Sequence, residues 1–229
     1  MPDRIVSIHQ PNFFPWLGLF DKIARSQLFV IWDSAPSPNQ AGWLNRVRLL
    51  QGGQPKWVTA PLVNPGARTQ DELRLDETQR WRERLLRTLK IHYGKARHFH
   101  KVQPFIEHLL CYPTESLTRL NGQIIYELCN KLGLQTEIMA MSRLGIEAEG
   151  TDLLVKVTEA LGGEVYLAGG NSGHLLPEDF AQRGLELRFQ NYRPGRYDQV
   201  DNTIFVPGLS ILDALMNCGW QATAAMLGR

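Results

Sequence analysis

Short apolar runs alternate with amphipathic segments along the chain, a pattern typical of α/β proteins. The first run, Ile5–Ile8, predicts a buried strand, and Gly18–Ser26 predicts a short helix behind it. Leu28–Trp32 predicts a second strand. Trp43–Leu50 and Lys56–Leu62 flank a glycine pair and predict a β-hairpin. The opening of the chain is therefore predicted to contain strands, one short helix and loops.

Residues 76–133 change to a helical pattern. Asp76–Gln79 resembles a capping box, and apolar side chains recur at helical spacing behind it. A second helix is predicted over Val102–Leu110, and a third follows with Thr114 as its N-cap and Gly133 at its C-terminal end. We expect this stretch to be a helical insertion or subdomain.

Strand and helix patterns alternate again in the remainder of the chain. The predicted elements are a strand over Thr136–Met141, a helix over Thr151–Leu161 capped by Thr151, strands over Glu164–Ala168 and Leu185–Gln190, and a last helix over Leu209–Asn217 that ends at Gly219. We expect a single α/β domain over residues 1–229, with a parallel or mixed sheet and the helical segment inserted between its halves.

Composition narrows the class of protein. The 229 residues are 43% hydrophobic and 21% charged, as in an ordinary globular domain. A net charge of +2 gives no general attraction to nucleic acid. Neither a run of about 18 apolar residues nor a signal-peptide pattern is present. We therefore expect a cytoplasmic protein with no membrane span and no nucleic-acid partner.

Cysteine and histidine spacing gives no metal site. Cys111, Cys129 and Cys218 are widely separated and form no CxxC pair, so we expect small core residues in a reducing compartment. The histidines around His98 and His100 lack a matching third ligand cluster. A solvated or partly packed helix face is favoured there over a metal site. These patterns identify no cofactor.

The densest chemistry lies directly after the first predicted strand. His9, Gln10, Asn12 and Trp16 follow each other in a loop stiffened by two prolines. Ligands of open α/β sheets bind at the carboxyl ends of strands. We predict His9 as the acid or base, Gln10 and Asn12 as hydrogen-bonding groups, and Trp16 as a stacking face. The alternative is that His9 caps the turn by bonding a carbonyl group.

Charged residues near this loop are further candidates. Asp33 ends the second predicted strand, where it would orient His9 or a substrate hydroxyl, or serve as an ordinary turn residue. Lys22 and Arg46 would neutralise an anionic substrate group, with Asn45 beside the arginine. A solitary surface arginine is the alternative for Arg46.

Two later segments add candidates. The loop that begins with Gly169 and Gly170 follows a strand and presents backbone amides suited to an anion, or is simply a tight turn. Tyr197, Gln199 and Ser210 precede or begin the last helix. Ser210 is either its N-cap or, with the other two, part of the substrate site.

Several motifs together resemble the WbqC-like protein family. They are Ile8–Gly18 with Lys22, Val30–Asp33, Trp43–Arg46, Trp57–Pro61, His92–Gly94, Tyr166–Gly169, Tyr197–Gln199 and Pro207–Leu215. Members of this family are associated with gene clusters for O-antigen and other surface glycans, and some with small-molecule biosynthesis. The resemblance implies a transferase that moves an acyl or aminoacyl group to an amino sugar or another amine. A nucleotide sugar or a carrier-bound acyl group would then be a substrate. The resemblance does not decide whether the protein forms an oligomer.

Two alternatives remain at the level of sequence. One is a non-catalytic module that binds a sugar or nucleotide within a biosynthetic complex. The other is nucleotidyl or adenylyl transfer, because a strand, His9 and a helix resemble the start of nucleotidylyltransferases with an HxGH motif. The second histidine of that motif is missing here. The chain also departs from the family pattern at Trp32, where an aliphatic residue is common, and in the proline-rich segment Ser34–Gln40.

Overall fold

The computed structural model describes residues 3–37, 42–170, 172–201 and 203–228. The end of the predicted loop Ser34–Gln40, and Asn171 of the glycine-rich loop, lie outside these ranges. The strands are β1 Ile5–His9, β2 Leu28–Ile31, β3 Arg46–Gln51, β4 Gln54–Thr59, β5 Glu137–Ala140, β6 Val165–Ala168 and β7 Glu186–Phe189. The helices are α1 Leu17–Ala24, α2 Trp81–Tyr93, α3 Phe99–Leu110, α4 Leu117–Leu132, α5 Gly150–Ala160, α6 Pro177–Ala181 and α7 Ile211–Ala224.

Five strands form one parallel sheet in the order β5-β2-β1-β6-β7. This confirms the predicted α/β class and settles its sheet as parallel. Strands β3 and β4 pair antiparallel as the predicted hairpin. Gly52 and Gly53 form its two-residue turn with φ of 60° and 73°, which is the left-handed geometry that matches the twist of a hairpin.

Helices cover both faces of the sheet and define two apolar clusters. Along β2, Phe29 and Ile31 belong to the cluster that contains α1, α2, α3, α4 and α7. Leu28 and Val30 point to the other face, where they pack in the cluster of α5 and α6. All four residues of β2 are buried, because a parallel strand covered on both sides has no solvent face. No helix within the described ranges is long and apolar enough to cross a bilayer.

The structure corrects several predicted helix ends. Ser116 rather than Thr114 is the N-cap of α4, since its Oγ accepts a hydrogen bond from the amide of Arg119. Thr114 instead accepts from the amide of Ser116 and fixes the turn before the helix. Thr151 lies inside α5, whose N-cap is Glu149. Both predicted N-caps are therefore two residues away from the observed ones.

Two further expectations were wrong in detail. Asp76 caps a short 3-10 turn over Glu77–Gln79, and α2 begins only at Trp81. The α3 helix starts at Phe99, three residues before the prediction. The helical backbone is interrupted at Gly219 as predicted, with φ of 78° and ψ of 176°, but a second helical stretch follows, so that α7 extends to Ala224. Glycine alone adopts that backbone conformation readily.

The cysteines do not share one environment. Cys129 is buried in the larger apolar cluster, as expected, but Cys111 is exposed and Cys218 is half-buried. All three thiols are free. The prediction of three core cysteines is therefore wrong for Cys111, which lies in the turn that ends α3.

Candidate functional site

Chain connections diverge from the middle of the sheet. From β1 the chain passes through α1 to β2, and the hairpin and helices α2 to α4 then lead to the edge strand β5. After α5 it returns to the opposite side of β1, where β6 and β7 follow. The gap between the carboxyl ends of β1 and β6 is therefore a topological switch point, where open α/β sheets bind ligands.

A cavity of about 300 Å³ lies at this point. Its walls come from the ends of β1, β6 and β7 and from α1, and the polar and aromatic groups among them are those of His9, Trp16, Lys22, Tyr166, Ser172 and Gln190. Gly169 and Gly170 also line it. The structure thus brings together five of the predicted site residues, namely His9, Trp16, Lys22, Gly169 and Gly170.

The loop between β1 and α1 is held rigidly by distant side chains. Asn121 of α4 donates to the carbonyl oxygens of Pro11 and Leu44 at 2.7 Å each. Ser210 Oγ donates to the carbonyl of Phe14 at 2.7 Å. Phe14 itself has φ of 40°, a left-handed conformation that a bulky residue adopts only when its surroundings impose it. These bonds fix where His9 and Trp16 are presented.

His9 is oriented by its own loop. Its Nδ1 lies 2.8 Å from the carbonyl oxygen of Gln10, and a carbonyl oxygen only accepts, so Nδ1 carries the proton. Nε2 is left as an acceptor and has no hydrogen bond to any described residue. Burial, and secondarily the charge of Lys22, lower the pKa of His9 to about 4. The imidazole is therefore neutral at neutral pH. Its hydrogen bond to the Gln10 carbonyl is also the one expected if His9 serves only to cap the turn.

Lys22 is buried in the wall of the cavity, and no acidic side chain of the described residues forms an ion pair with it. Its Nζ donates to the carbonyl of Ile8 at 2.9 Å and lies 5.8 Å from the centre of the Tyr166 ring. The residue is 3% exposed. Burial lowers the pKa of Lys22 to about 7, because a low-dielectric surrounding disfavours the ammonium form.

Gln190, at the end of β7, was not predicted as a site residue. Its Nε2 donates to the carbonyl of Gly18 at 2.6 Å and to Asp21 Oδ2 at 2.7 Å. Both partners only accept, so the amide orientation is fixed and Oε1 remains an acceptor. Asp21 is held in turn by the amide of Gly228, which donates to Oδ1 at 2.9 Å. Gln190 follows the last residue of β7, and ligands bind at the carboxyl ends of strands, so its position in the sequence could have indicated it. Tyr166 lies within the apolar run of β6, where nothing in the sequence distinguishes it from a core residue.

Trp16 lies across Gly18. A Cβ atom on Gly18 would come within 2.4 Å of the indole ring, so only glycine leaves room for this arrangement. The indole also meets Tyr192 edge to face, with ring centroids 5.4 Å apart. Tyr192 therefore supports the aromatic wall of the cavity from outside.

Replacing Gly18 by alanine is expected to push the indole of Trp16 off the cavity wall. We expect the free energy of unfolding to fall by about 1 kcal/mol, mostly through the lost contact with Tyr192. Urea unfolding measures this loss, and a crystal structure of the variant would show the displaced ring. Gly170→Ala is the matched control, because nothing lies within 4 Å of its added Cβ. Equal unfolding energies for the two variants would contradict the expectation.

The remaining predicted residues of the opening segments do not line the cavity. Asp33 Oδ1 and Oδ2 accept from the amide and hydroxyl of Ser142 at 2.9 and 2.6 Å, so it ties β2 to the 3-10 turn after β5. No hydrogen bond joins Asp33 to His9 in the described residues. Gln10 contributes its carbonyl to His9, and the amide of Asn12 donates to that same carbonyl. Gln10 and Asn12 thus shape the turn around the histidine.

Arg46 and Asn45 belong to a second cluster on the hairpin. The guanidinium carbon of Arg46 lies 4.4 Å from the Trp57 ring centroid, and Trp57 meets Trp43 edge to face at 4.6 Å. Arg46 Nε is buried without a hydrogen-bond partner in the described chain, and both indoles are exposed by more than two fifths. Asn45 donates to the carbonyl of Ala60. The cluster adjoins the β1–α1 loop through the Phe13 amide, which donates to Trp43.

Tyr197, Gln199 and Ser210 do not line the cavity, although Ser210 contacts the β1–α1 loop beside it. Tyr197 and Gln199 both donate to Oδ2 of the buried Asp213, at 2.7 and 2.9 Å. Tyr93 donates to Oδ1 at 2.9 Å. Ser210 is the N-cap of α7, because its Oγ accepts from the amide of Leu212 at 3.2 Å, which confirms the N-cap interpretation. All three fasten the last helix to its surroundings.

A wider cleft of about 590 Å³ lies beside α2 and the end of α3. Its one basic side chain, Arg82, is already bonded to Glu77 and to the carbonyl of Thr114. The smaller cavity is the better candidate, because it lies at the switch point and because His9 Nε2 and Gln190 Oε1 form no hydrogen bond with another described residue. No three His, Cys, Asp or Glu side chains of the described segments come together as metal ligands.

Comparison with known proteins identifies relatives along almost the whole chain. The model of the WbqC-like protein family matches residues 10–225. A protein of Mycobacterium tuberculosis (strain ATCC 25618 / H37Rv), described as "Uncharacterized protein Rv1507c", is 27% identical over 222 residues, which cover 95% of each chain. No solved structure matches the chain. The family match runs from the β1–α1 loop to the end of α7 and so includes the residues that line the cavity, except Ile8 and His9.

Proposed function

The chain belongs to the WbqC-like protein family, and we propose that it is a group-transfer enzyme that acts on a small molecule in the cavity between β1 and β6. The transferred group is an acyl or aminoacyl group, and the acceptor is the amine of an amino sugar or a similar compound. The observation that carries the proposal is the orientation of His9, whose Nε2 is an open acceptor in a cavity at the sheet's switch point.

The neighbouring groups suit such a substrate. Trp16 supplies an aromatic face for a sugar ring or another flat group. Lys22 offers a cation, and Gln190 Oε1 offers a fixed acceptor for a hydroxyl or an amine proton. A cavity of about 300 Å³ accommodates one small substrate together with the reactive end of a donor.

The proton balance of the transfer assigns a role to His9. The acceptor nitrogen attacks the carbonyl carbon of an activated acyl donor, such as a thioester, so a C–N bond forms. The nitrogen becomes more acidic as it acquires positive charge, and Nε2 takes its proton. The C–S bond then breaks, and the imidazolium returns the proton to the leaving thiolate. No oxidant or reductant is needed.

The low pKa of His9, about 4, favours a second candidate function. An imidazole with that pKa is a good hydrogen-bond acceptor but a weak base. A non-catalytic module that grips a sugar or nucleotide would use the same groups without turnover. Its ligand affinity would be insensitive to protonation of His9 above about pH 5, because the imidazole stays neutral there.

Substitution of His9 tests the first proposal. We expect His9→Ala to lower kcat/KM by about 100-fold, near the lower end for general acid–base groups because the base is weak. Substrates would first be found by a thermal-shift screen of acyl-CoAs, nucleotide sugars, amino acids, and ATP with magnesium, since a ligand that binds only the folded protein raises its melting temperature. Release of free thiol from the acyl donor then measures turnover.

A matched control separates catalysis from folding. His174→Ala removes an exposed histidine just beyond the glycine-rich loop and should leave kcat/KM and the melting temperature unchanged. Unchanged turnover in His9→Ala would refute the role of His9. Ligand binding in both variants with no turnover in the wild type would favour the binding module.

A further inference from the structure

Lys22 carries a charge that the described residues do not compensate. An ammonium group has three protons to donate, and only the carbonyl of Ile8 receives one. No Asp or Glu forms an ion pair with it in the described chain, and none lines the cavity. A buried charge without a partner is costly, so this position is poorly explained by stability alone.

None of the described side chains around this amine supplies a free negative charge. His9 at the end of β1 is neutral near pH 7, and burial raises the pKa of Tyr166 on β6, which keeps its hydroxyl uncharged. Gln190 on β7 is an amide. On α1 itself, the carboxylate of Asp21 already accepts from Gln190 and Gly228 and lies 3.7 Å from Arg25. The charge of protonated Lys22 is therefore left for a ligand.

Backbone amides beside Lys22 are also unused. The amides of Gly18, Gly169 and Gly170 donate no hydrogen bond to any described residue. Gly18 is in the first turn of α1, where the helix dipole favours an anion and where no acidic side chain is present. A Cβ on Gly169 would lie 3.9 Å from Lys22 Nζ, so the glycine-rich loop approaches the amine closely.

We propose that the cavity binds its substrate through a carboxylate or phosphate group held by Lys22 and the amides of Gly18, Gly169 and Gly170, and that Lys22 takes up a proton when this group binds. The inference deepens the proposed function, since it names the anionic class of substrate for the same cavity. The inference concerns anion binding alone, so an experiment can refute it without refuting the role of His9 in turnover, and the reverse.

Proton uptake gives the proposal a specific pH signature. Burial lowers the pKa of Lys22 to about 7 in the free protein, whereas an anion beside it stabilises the ammonium form. Above pH 7 each bound anion therefore draws one proton from solution. The dissociation constant of the anion should rise about tenfold per pH unit there and level off below pH 7.

Titration with two simple anions tests this signature. Acetate represents a carboxylate, and sulfate represents a phosphate without titrating in this pH range. The 13C-methyl signals of Ile8 and Leu19, which line the cavity, would be followed at constant ionic strength on both sides of the Lys22 pKa of about 7. Saturable shifts with acetate alone, or with sulfate alone, would identify which anion the site takes.

Two variants of Lys22 make the outcome decisive. Lys22→Met should abolish the saturable shifts, while Lys22→Arg keeps a permanent charge and should bind with an affinity that no longer depends on pH. Binding in Lys22→Met equal to that of the wild type, or a wild-type affinity that does not change with pH, would overturn the proposal. Anion binding that persists in His9→Ala while turnover is lost would support both proposals separately.

Discussion

Replacing Asp213 by alanine is expected to lower the free energy of unfolding by about 4 kcal/mol. Three donors, on the buried Tyr93 and Gln199 and the half-buried Tyr197, would lose their acceptor, and each buried unsatisfied donor costs about 1–3 kcal/mol. Tyr93 also accepts from the Leu50 amide at 2.8 Å, so the loss reaches the hairpin as well as α7. Urea unfolding followed by circular dichroism measures the difference.

Asp213→Asn is the control for this prediction. The asparagine keeps the volume and one acceptor oxygen, so its loss should be about half of that in Asp213→Ala. A loss below about 1 kcal/mol for the alanine variant would mean that water replaces the carboxylate, and it would refute the view that this group fastens α7.

The stability of the wild type relative to Lys22→Met is expected to rise by about 3 kcal/mol between pH 7 and pH 9.5. Burial lowers the pKa of Lys22 to about 7 in the folded protein, against about 10.4 in an unfolded chain. Between pH 7 and pH 9.5 Lys22 binds more protons in the unfolded state than in the folded state. The free energy of unfolding therefore rises with pH, by about 1.4 kcal/mol per pH unit. At pH 7 and below, the methionine variant should be the more stable protein.

Comparison with the methionine variant removes other titrating groups from the measurement. Burial raises the pKa of Cys129 to about 12 and that of Cys218 to about 11, which lowers stability as pH rises above the ordinary thiol pKa. The wild type and Lys22→Met share these thiols, so the difference between their free energies of unfolding reports on Lys22 alone. Urea unfolding at several pH values gives the slope, and parallel curves for the two proteins would contradict the burial of Lys22.

Sequence patterns predicted the sheet well, because parallel strands buried on both faces appear as short apolar runs. The strands β1, β2 and β6 were found to within a residue at each end. Helix starts were less accurate, because Thr114 and Ser116 compete for one cap and the choice depends on the turn that precedes them. The continuation of α7 past Gly219 could not be predicted, since glycine usually ends a helix.

The candidate site was predictable only where its residues follow one another in the chain. His9, Trp16 and Lys22 lie in one strand–loop–helix segment, and that segment does line the cavity. The sequence indicates Tyr197 and Gln199 only by residue type, and spacing along the chain does not reveal that both bind Asp213. Asn121 binds the carbonyl of Pro11 from 110 residues away, so the support of the loop is visible only in the folded chain.

The hydrogen bond from Gly228 to Asp21 has a practical consequence for producing the protein. Gly228 holds Asp21, and Asp21 orients the amide of Gln190 at the cavity. Truncation before Gly228 would remove one hydrogen bond from Asp21 and leave the Gly18 carbonyl as the better fixed partner of the Gln190 amide, without changing any cavity residue. Ligand affinity should therefore be compared between the 229-residue chain and a version truncated before Gly228, and a weaker affinity in the truncated version would show that a residue outside the cavity tunes the site.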